Sequence, residues 1–200
     1  MSLKDAQQRA AVTTHLARRA IVEPGAAYRH LKRRYSPSLY IERNHDHRHT
    51  LFLVGSGRSG STWLSEILVE ALHGRFIFEP FRRDQIPLAR NIRWGQYIDP
   101  DTSDQALKNV VRQILEGRIR LQWTDIHNTH RLPRTRLVKE IRATNLLPWV
   151  VREFLDMPVV YLLRHPLAAS WSAAELGWKS RLSEFLVQVP LIEGPLRRYK

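Results

Sequence analysis

From residue 50 onward, short apolar runs alternate with longer segments whose apolar residues recur with helical spacing, the pattern of β-α-β units around a mostly parallel sheet. Strands are expected at 51–54 (LFLV), 136–141 (RLVKEI) and 159–163 (VVYLL), with a shorter one at 76–78. A helix is expected to begin at Gly60 or Ser61 and to set Leu64, Ile67, Leu68 and Leu72 on one face. A second is expected from Thr102 or Ser103, because Thr102 and Gln105 have capping-box spacing; it would bury Leu107, Val110, Val111, Ile114 and Leu115 before Gly117 stops it. A third should run from about Asn145 to Leu155. A fourth should start at Pro166, whose fixed φ and missing N–H suit a first helical turn. The expected fold is therefore α/β, a mostly parallel central sheet flanked by helices.

Residues 1–48 lack this alternation and carry Arg18-Arg19 and Lys32-Arg33-Arg34. They read as a basic N-terminal extension, either an arm for a polyanion or membrane surface or a solvated appendage, in front of an α/β domain over 49–200. With 43% hydrophobic residues, 200 residues can bury one good core. The absence of cysteine excludes disulfides and thiolate metal sites, and the nine histidines include no paired ligand spacing. His45, His47 and His49 read as a solvated loop, and no metal is expected. Lys and Arg number 32 against 19 Asp and Glu, leaving a net charge of +13 that favours anionic partners. No apolar run approaches the roughly 20 residues of a bilayer span, and no signal-peptide core follows the first lysine. A soluble, cytoplasmic protein is expected.

The chemistry concentrates in LFLVGSGRSGSTWLSEIL, an apolar strand, a glycine-rich turn and a helix start. Such a turn presents unpaired backbone N–H groups and the positive end of a helix dipole, which suits an anion. Gly55 and Gly60 have the glycine spacing of a nucleoside triphosphate loop, GxxxxGK[ST]. Position 61, however, is Ser61 where that loop needs lysine, and the basic residue is Arg58, inside the turn. This speaks against an ATP- or GTP-dependent enzyme. A second basic strand end lies in VVYLLRHPLAASWS, where Arg164, Pro166 and Ser172 follow the apolar run. Ligands of parallel sheets bind outside the carboxyl ends of the strands, where both segments fall.

Arg58-Ser59-Gly60-Ser61-Thr62-Trp63 resembles the 5′-phosphosulfate loop of sulfotransferases that use 3′-phosphoadenosine 5′-phosphosulfate (PAPS), and Arg164 with Ser172 eight residues on resembles that family's 3′-phosphate motif. The resemblance covers about residues 50–180 and implies a three-layer, P-loop-like fold. It implies sulfuryl transfer from PAPS, as donor cosubstrate, to an acceptor hydroxyl on a carbohydrate or related small molecule. Gly57, Arg58, Ser59, Gly60, Ser61, Thr62 and Trp63 would hold the 5′ side and Arg164 and Ser172 the 3′-phosphate, with Arg58 also stabilising the leaving group.

In the carbohydrate-directed branch a glutamate some twenty-odd residues after the loop is the general base, which implies Glu79; the alternative is a carboxylate that merely pairs with Arg82 or Arg83. The histidine that follows the middle strand in the small-molecule branch is absent, Glu140 and Ile141 standing there; His127 and His130 are the fallback bases. Lys139 and Arg142, near the carboxyl end of that strand, are possible sulfate or acceptor contacts; only one would serve unless the strand ends before Arg142. Segment 76–97 either lines the acceptor site or is a surface loop. The family's C-terminal part is missing from the pattern, so the chain reads as a shortened form or a fragment. The alternative is a non-catalytic or inactive module binding nucleotide or polyanion. No specific nucleic-acid partner is expected, and the acceptor and the oligomeric state are not legible.

Overall fold

The computed structural model describes residues 39–199. Its centre is a four-stranded, all-parallel sheet made of β1 (Thr50–Gly55), β2 (Gly74–Phe78), β3 (Thr135–Glu140) and β4 (Val159–Leu162), in the order β2-β3-β1-β4. The helices are α1 (Ser61–Leu72), α2 (Gln105–Leu115), α3 (Leu147–Glu153), α4 (Pro166–Glu175), α5 (Leu182–Leu186) and α6 (Val189–Glu193). The protein is thus α/β, with a parallel sheet between helical layers.

The two layers follow from the alternation of side chains along each strand. Phe52, Val54, Ile77 and Val138 face one side, where α2 adds Leu107, Val111, Ile114 and Leu115 and α3 adds Trp149 and Val150. Leu53, Phe76 and Leu137 face the other, against Val69 of α1. Each fully buried side chain of this size contributes about 1.5–3 kcal/mol. Trp149 is completely buried, and its Nε1–H donates to the Thr102 carbonyl (2.9 Å), so its one polar atom is satisfied.

Several boundaries differ from the sequence expectation. The second helix starts later, because Asp104 rather than Thr102 caps it, its carboxylate accepting from the Leu107 N–H at 2.9 Å. Its core face is otherwise the expected one, with Val110 partly buried. The first helix turns a different edge inward: Ser61, Ser65 and Val69 are its buried residues, whereas Ile67 and Leu72 are exposed. Ser65 is tolerated there because its hydroxyl donates to the Ser61 carbonyl (2.7 Å). The third helix covers only Leu147–Glu153, ahead of a left-handed Asp156 (φ 65°).

Arg18-Arg19 and Lys32-Arg33-Arg34 lie outside the described residues. From 39 on, the chain preceding β1 lies against the domain. The Ile41 N–H donates to the Arg131 carbonyl (2.8 Å), and Glu42 reaches the buried Arg75 and Arg136 at 2.6 Å each. The histidine cluster is not simply solvated. Ring nitrogens of His45 and His47 donate to the carbonyls of Glu116 and Leu155 at 2.8 and 3.2 Å.

Because all four strands are parallel, their carboxyl ends share one edge of the sheet. At β1 the chain leaves over one face through α1, while the connection from β3 to β4 passes β1 on the other face through α3. This divergence opens a crevice at the end of β1. Among the described residues, no helix is long and apolar enough to cross a membrane.

Candidate functional site

The turn after β1 is shaped by close approach and by two left-handed residues. A side chain at Gly55 would put Cβ 2.7 Å from the Leu162 carbonyl oxygen of β4, so a glycine is required for the two strands to pair to their ends. Arg58 (φ 65°) and Gly60 (φ 91°) are left-handed, and Gly60 forms the N-cap of α1 with no side chain to satisfy the first helical N–H groups. Inside the turn the Ser59 hydroxyl is buried without a hydrogen-bond partner. Orphan helix donors and an orphan buried hydroxyl together make a cradle suited to an oxyanion.

Arg164, just past β4, extends NH1 to the Arg58 carbonyl (2.8 Å), and Arg58 Nε donates to the Ser172 hydroxyl of α4 (3.1 Å). Arg58, Arg164 and Ser172 are therefore brought into one contact chain although more than a hundred residues separate the turn from the other two. Ser61 is buried and Thr62 half-buried on the first turn of α1. Trp63 is 69% exposed and faces a separate recess of about 680 Å³, with Glu66, Ile67 and His127 on its wall.

A larger cavity of about 1230 Å³ runs from Gly57 to Glu79 and Arg142. Glu79 follows β2 in a left-handed conformation (φ 41°) and is 7% exposed. Its Oε1 accepts from Lys139 Nζ at 2.5 Å and its Oε2 from Arg142 NH1 at 2.9 Å. Burial alone would raise this carboxyl, but the two cations outweigh it and hold it below the ordinary glutamate range. β3 ends at Glu140, ahead of Arg142, so Lys139 and Arg142 both reach Glu79 and not only one of them. Arg82 pairs with Asp84 instead (3.0 Å). His127 and His130 approach Glu66 and Glu70 of α1 at 3.8 and 3.4 Å, and neither lines the large cavity.

Segment 76–97 does contribute to the cavity wall, through Glu79, Phe81, Arg82, Arg83, Asp84, Ile92 and Trp94. Three participants were not singled out as site residues. Glu140 is fully buried and accepts from the Phe81, Ile141 and Arg142 N–H groups (2.7, 2.9 and 2.9 Å), joining the turn after β2 to the end of β3. The signal was there: a glutamate ending a strand in RLVKEIR needs several donors to be buried. Trp94 holds the guanidinium groups of Arg142 and Arg181 at 4.6 and 4.7 Å from its ring. Trp178 lies against Gly57, where an added Cβ would stand 2.7 Å from the indole, so the turn and the cavity wall meet there. Nothing in the local pattern singled out Trp178.

Among the described residues no three histidine or acidic side chains are grouped as ligands for a metal ion. In comparisons with known proteins, no family model, no curated protein and no solved structure matches this chain.

Proposed function

We propose that this chain binds PAPS at the turn after β1 and transfers its sulfuryl group to an acceptor hydroxyl in the large cavity. The observation that carries the reading is the contact chain from Arg164 through Arg58 to Ser172, which joins a 5′-type and a 3′-type phosphate motif at one sheet edge. The turn's N–H groups, the Ser59 and Thr62 hydroxyls and Arg58 hold the 5′-phosphate; Arg164 and Ser172 hold the 3′-phosphate. Glu79, ionised beside Lys139 and Arg142, keeps free lone pairs on its two oxygens and accepts the acceptor proton. The acceptor oxygen bonds to sulfur as the bond from sulfur to the bridging phosphate oxygen breaks. The charge left on that phosphate is met by Arg58 and the helix N-terminus.

The test is thermal stabilisation by 3′,5′-adenosine bisphosphate, against AMP and Mg-ATP at fixed salt. A ligand at 100 times its Kd adds about 2.7 kcal/mol to the folded state. Stabilisation by the bisphosphate alone, lost in Arg164→Ala, supports the donor site. Equal effects of all three nucleotides would instead favour a non-catalytic anion-binding module. Under the transfer reading Arg58→Ala abolishes turnover, whereas Arg164→Ala chiefly weakens nucleotide binding; a fully active Arg58→Ala enzyme would refute the role given to Arg58.

A further inference from the structure

The charges on the wall of the large cavity do not balance. Five cationic side chains line it, Arg82, Arg83, Arg142, Lys179 and Arg181, against the carboxylates of Glu79, Asp84 and Glu184. Each carboxylate is already matched: Glu79 to Arg142 (2.9 Å), Asp84 to Arg82 (3.0 Å) and Glu184 to Arg181 (2.6 Å). Arg83 and Lys179 remain, with no ion-pair partner among the described residues.

We propose that the acceptor is itself an anion, a hydroxyl compound bearing a carboxylate, sulfate ester or phosphate ester, and that Arg83 and Lys179 neutralise this group. The proposal rests on the sulfuryl-transfer reading of the same site and names its acceptor class. The donor's phosphates have their own groups in Arg58, Arg164 and Ser172, none of which lines this cavity, so the surplus charge is left for the second substrate. Trp178, at the junction with Gly57, gives the uncharged body of the acceptor an aromatic surface beside the reacting end.

The experiment uses the full chain after titration with 3′,5′-adenosine bisphosphate, so that failure of the donor site shows first, as absent stabilisation, and separately. Glucose, glucuronate, glucose 6-sulfate and glucose 6-phosphate are then compared as calorimetric probes at 50 mM salt. At least one charged probe is expected to bind about tenfold more tightly than glucose, as charge-assisted hydrogen bonds are the stronger kind. Which charged sugar leads identifies the anion. The advantage should fall below about twofold in Arg83→Gln/Lys179→Gln; both residues are exposed, and retained stabilisation by the bisphosphate certifies that the variant is folded. Equal binding of glucose and all charged probes overturns the proposal. So does an advantage that survives in the double variant.

Discussion

Glu79 and Glu140 stand at neighbouring strand ends, and their surroundings push them in opposite directions. In Glu79 burial is overcome by Lys139 and Arg142, and its pKa is lowered; in Glu140 burial prevails over Arg142 and the backbone donors, with the Glu79 charge adding to the upward shift. A lowered carboxyl contributes stability above its unfolded value and loses it as pH falls through the folded one. A raised carboxyl contributes stability at low pH and loses it as pH rises. Glu79→Gln leaves the buried Lys139 without a countercharge and Arg142 with Glu140 alone (3.2 Å), at a cost of about 3–5 kcal/mol at neutral pH. The gap in melting temperature between wild type and this variant should close as pH is lowered through the acidic range below about 4. Under the transfer reading the same substitution lowers turnover by about 10²–10⁴ while bisphosphate binding persists. Glu140→Gln keeps the shape but points an amide NH₂ at backbone N–H donors of Phe81, Ile141 or Arg142. About 1–3 kcal/mol should be lost, read as a fall of roughly 2–12 °C in melting temperature.

Among the elements, the strand starts are held by charge and their ends by close approach. Arg75 and Arg136 are the second residues of β2 and β3; both are buried, and Glu42 accepts from each through a separate oxygen. Arg75 also reaches Asp125 (3.0 Å) and the Gly117 carbonyl (2.7 Å), while Arg136 reaches Thr50 Oγ1 (3.0 Å) and the Leu115 carbonyl (3.1 Å). Removal of Glu42 leaves two desolvated guanidinium groups short of an acceptor. Glu42→Ala is therefore expected to cost about 3–5 kcal/mol, seen as a lower midpoint in urea with an unchanged slope. The sequence placed β1, β3 and β4 because Val, Leu and Ile runs announce strands, although β4, at the sheet edge, is only partly buried. It was silent on Arg75 and Arg136, since a charged residue in a strand reads as solvent-facing until its partners are known, and Glu42 lies far away in a polar segment. The helix that follows β1 was legible in position but not in rotation: Ile67 and Leu72 look like core residues, yet the close-packed side belongs to Ser61, Ser65 and Val69.

For the molecule as a whole, the same division separates the legible from the hidden. Arg58, Arg164 and Ser172 were marked by their resemblance to the two phosphate motifs of the sulfotransferase family, and the structure brings them into contact. The wall from Gly177 to Phe185 was not, because an exposed polar and aromatic stretch has no periodicity and acquires meaning only where it folds over Gly57. The net charge of +13 raises a competing explanation for any anion binding, since a diffuse positive field attracts nucleotides and polyanions alike. Salt separates the two. The screening length falls from about 10 Å at 0.1 M to about 3 Å at 1 M, which removes long-range attraction but leaves hydrogen bonds made at contact. Binding of a fluorescent dextran sulfate should therefore disappear over this range. Under the PAPS reading, stabilisation by 3′,5′-adenosine bisphosphate should decrease in absolute size, yet its advantage over AMP should remain, because that reading assigns the extra phosphate to directed contacts with Arg164 and Ser172. If that advantage instead vanishes with the dextran sulfate signal, the nucleotide is held by the field alone, and the contact chain at the sheet edge has no donor to recognise.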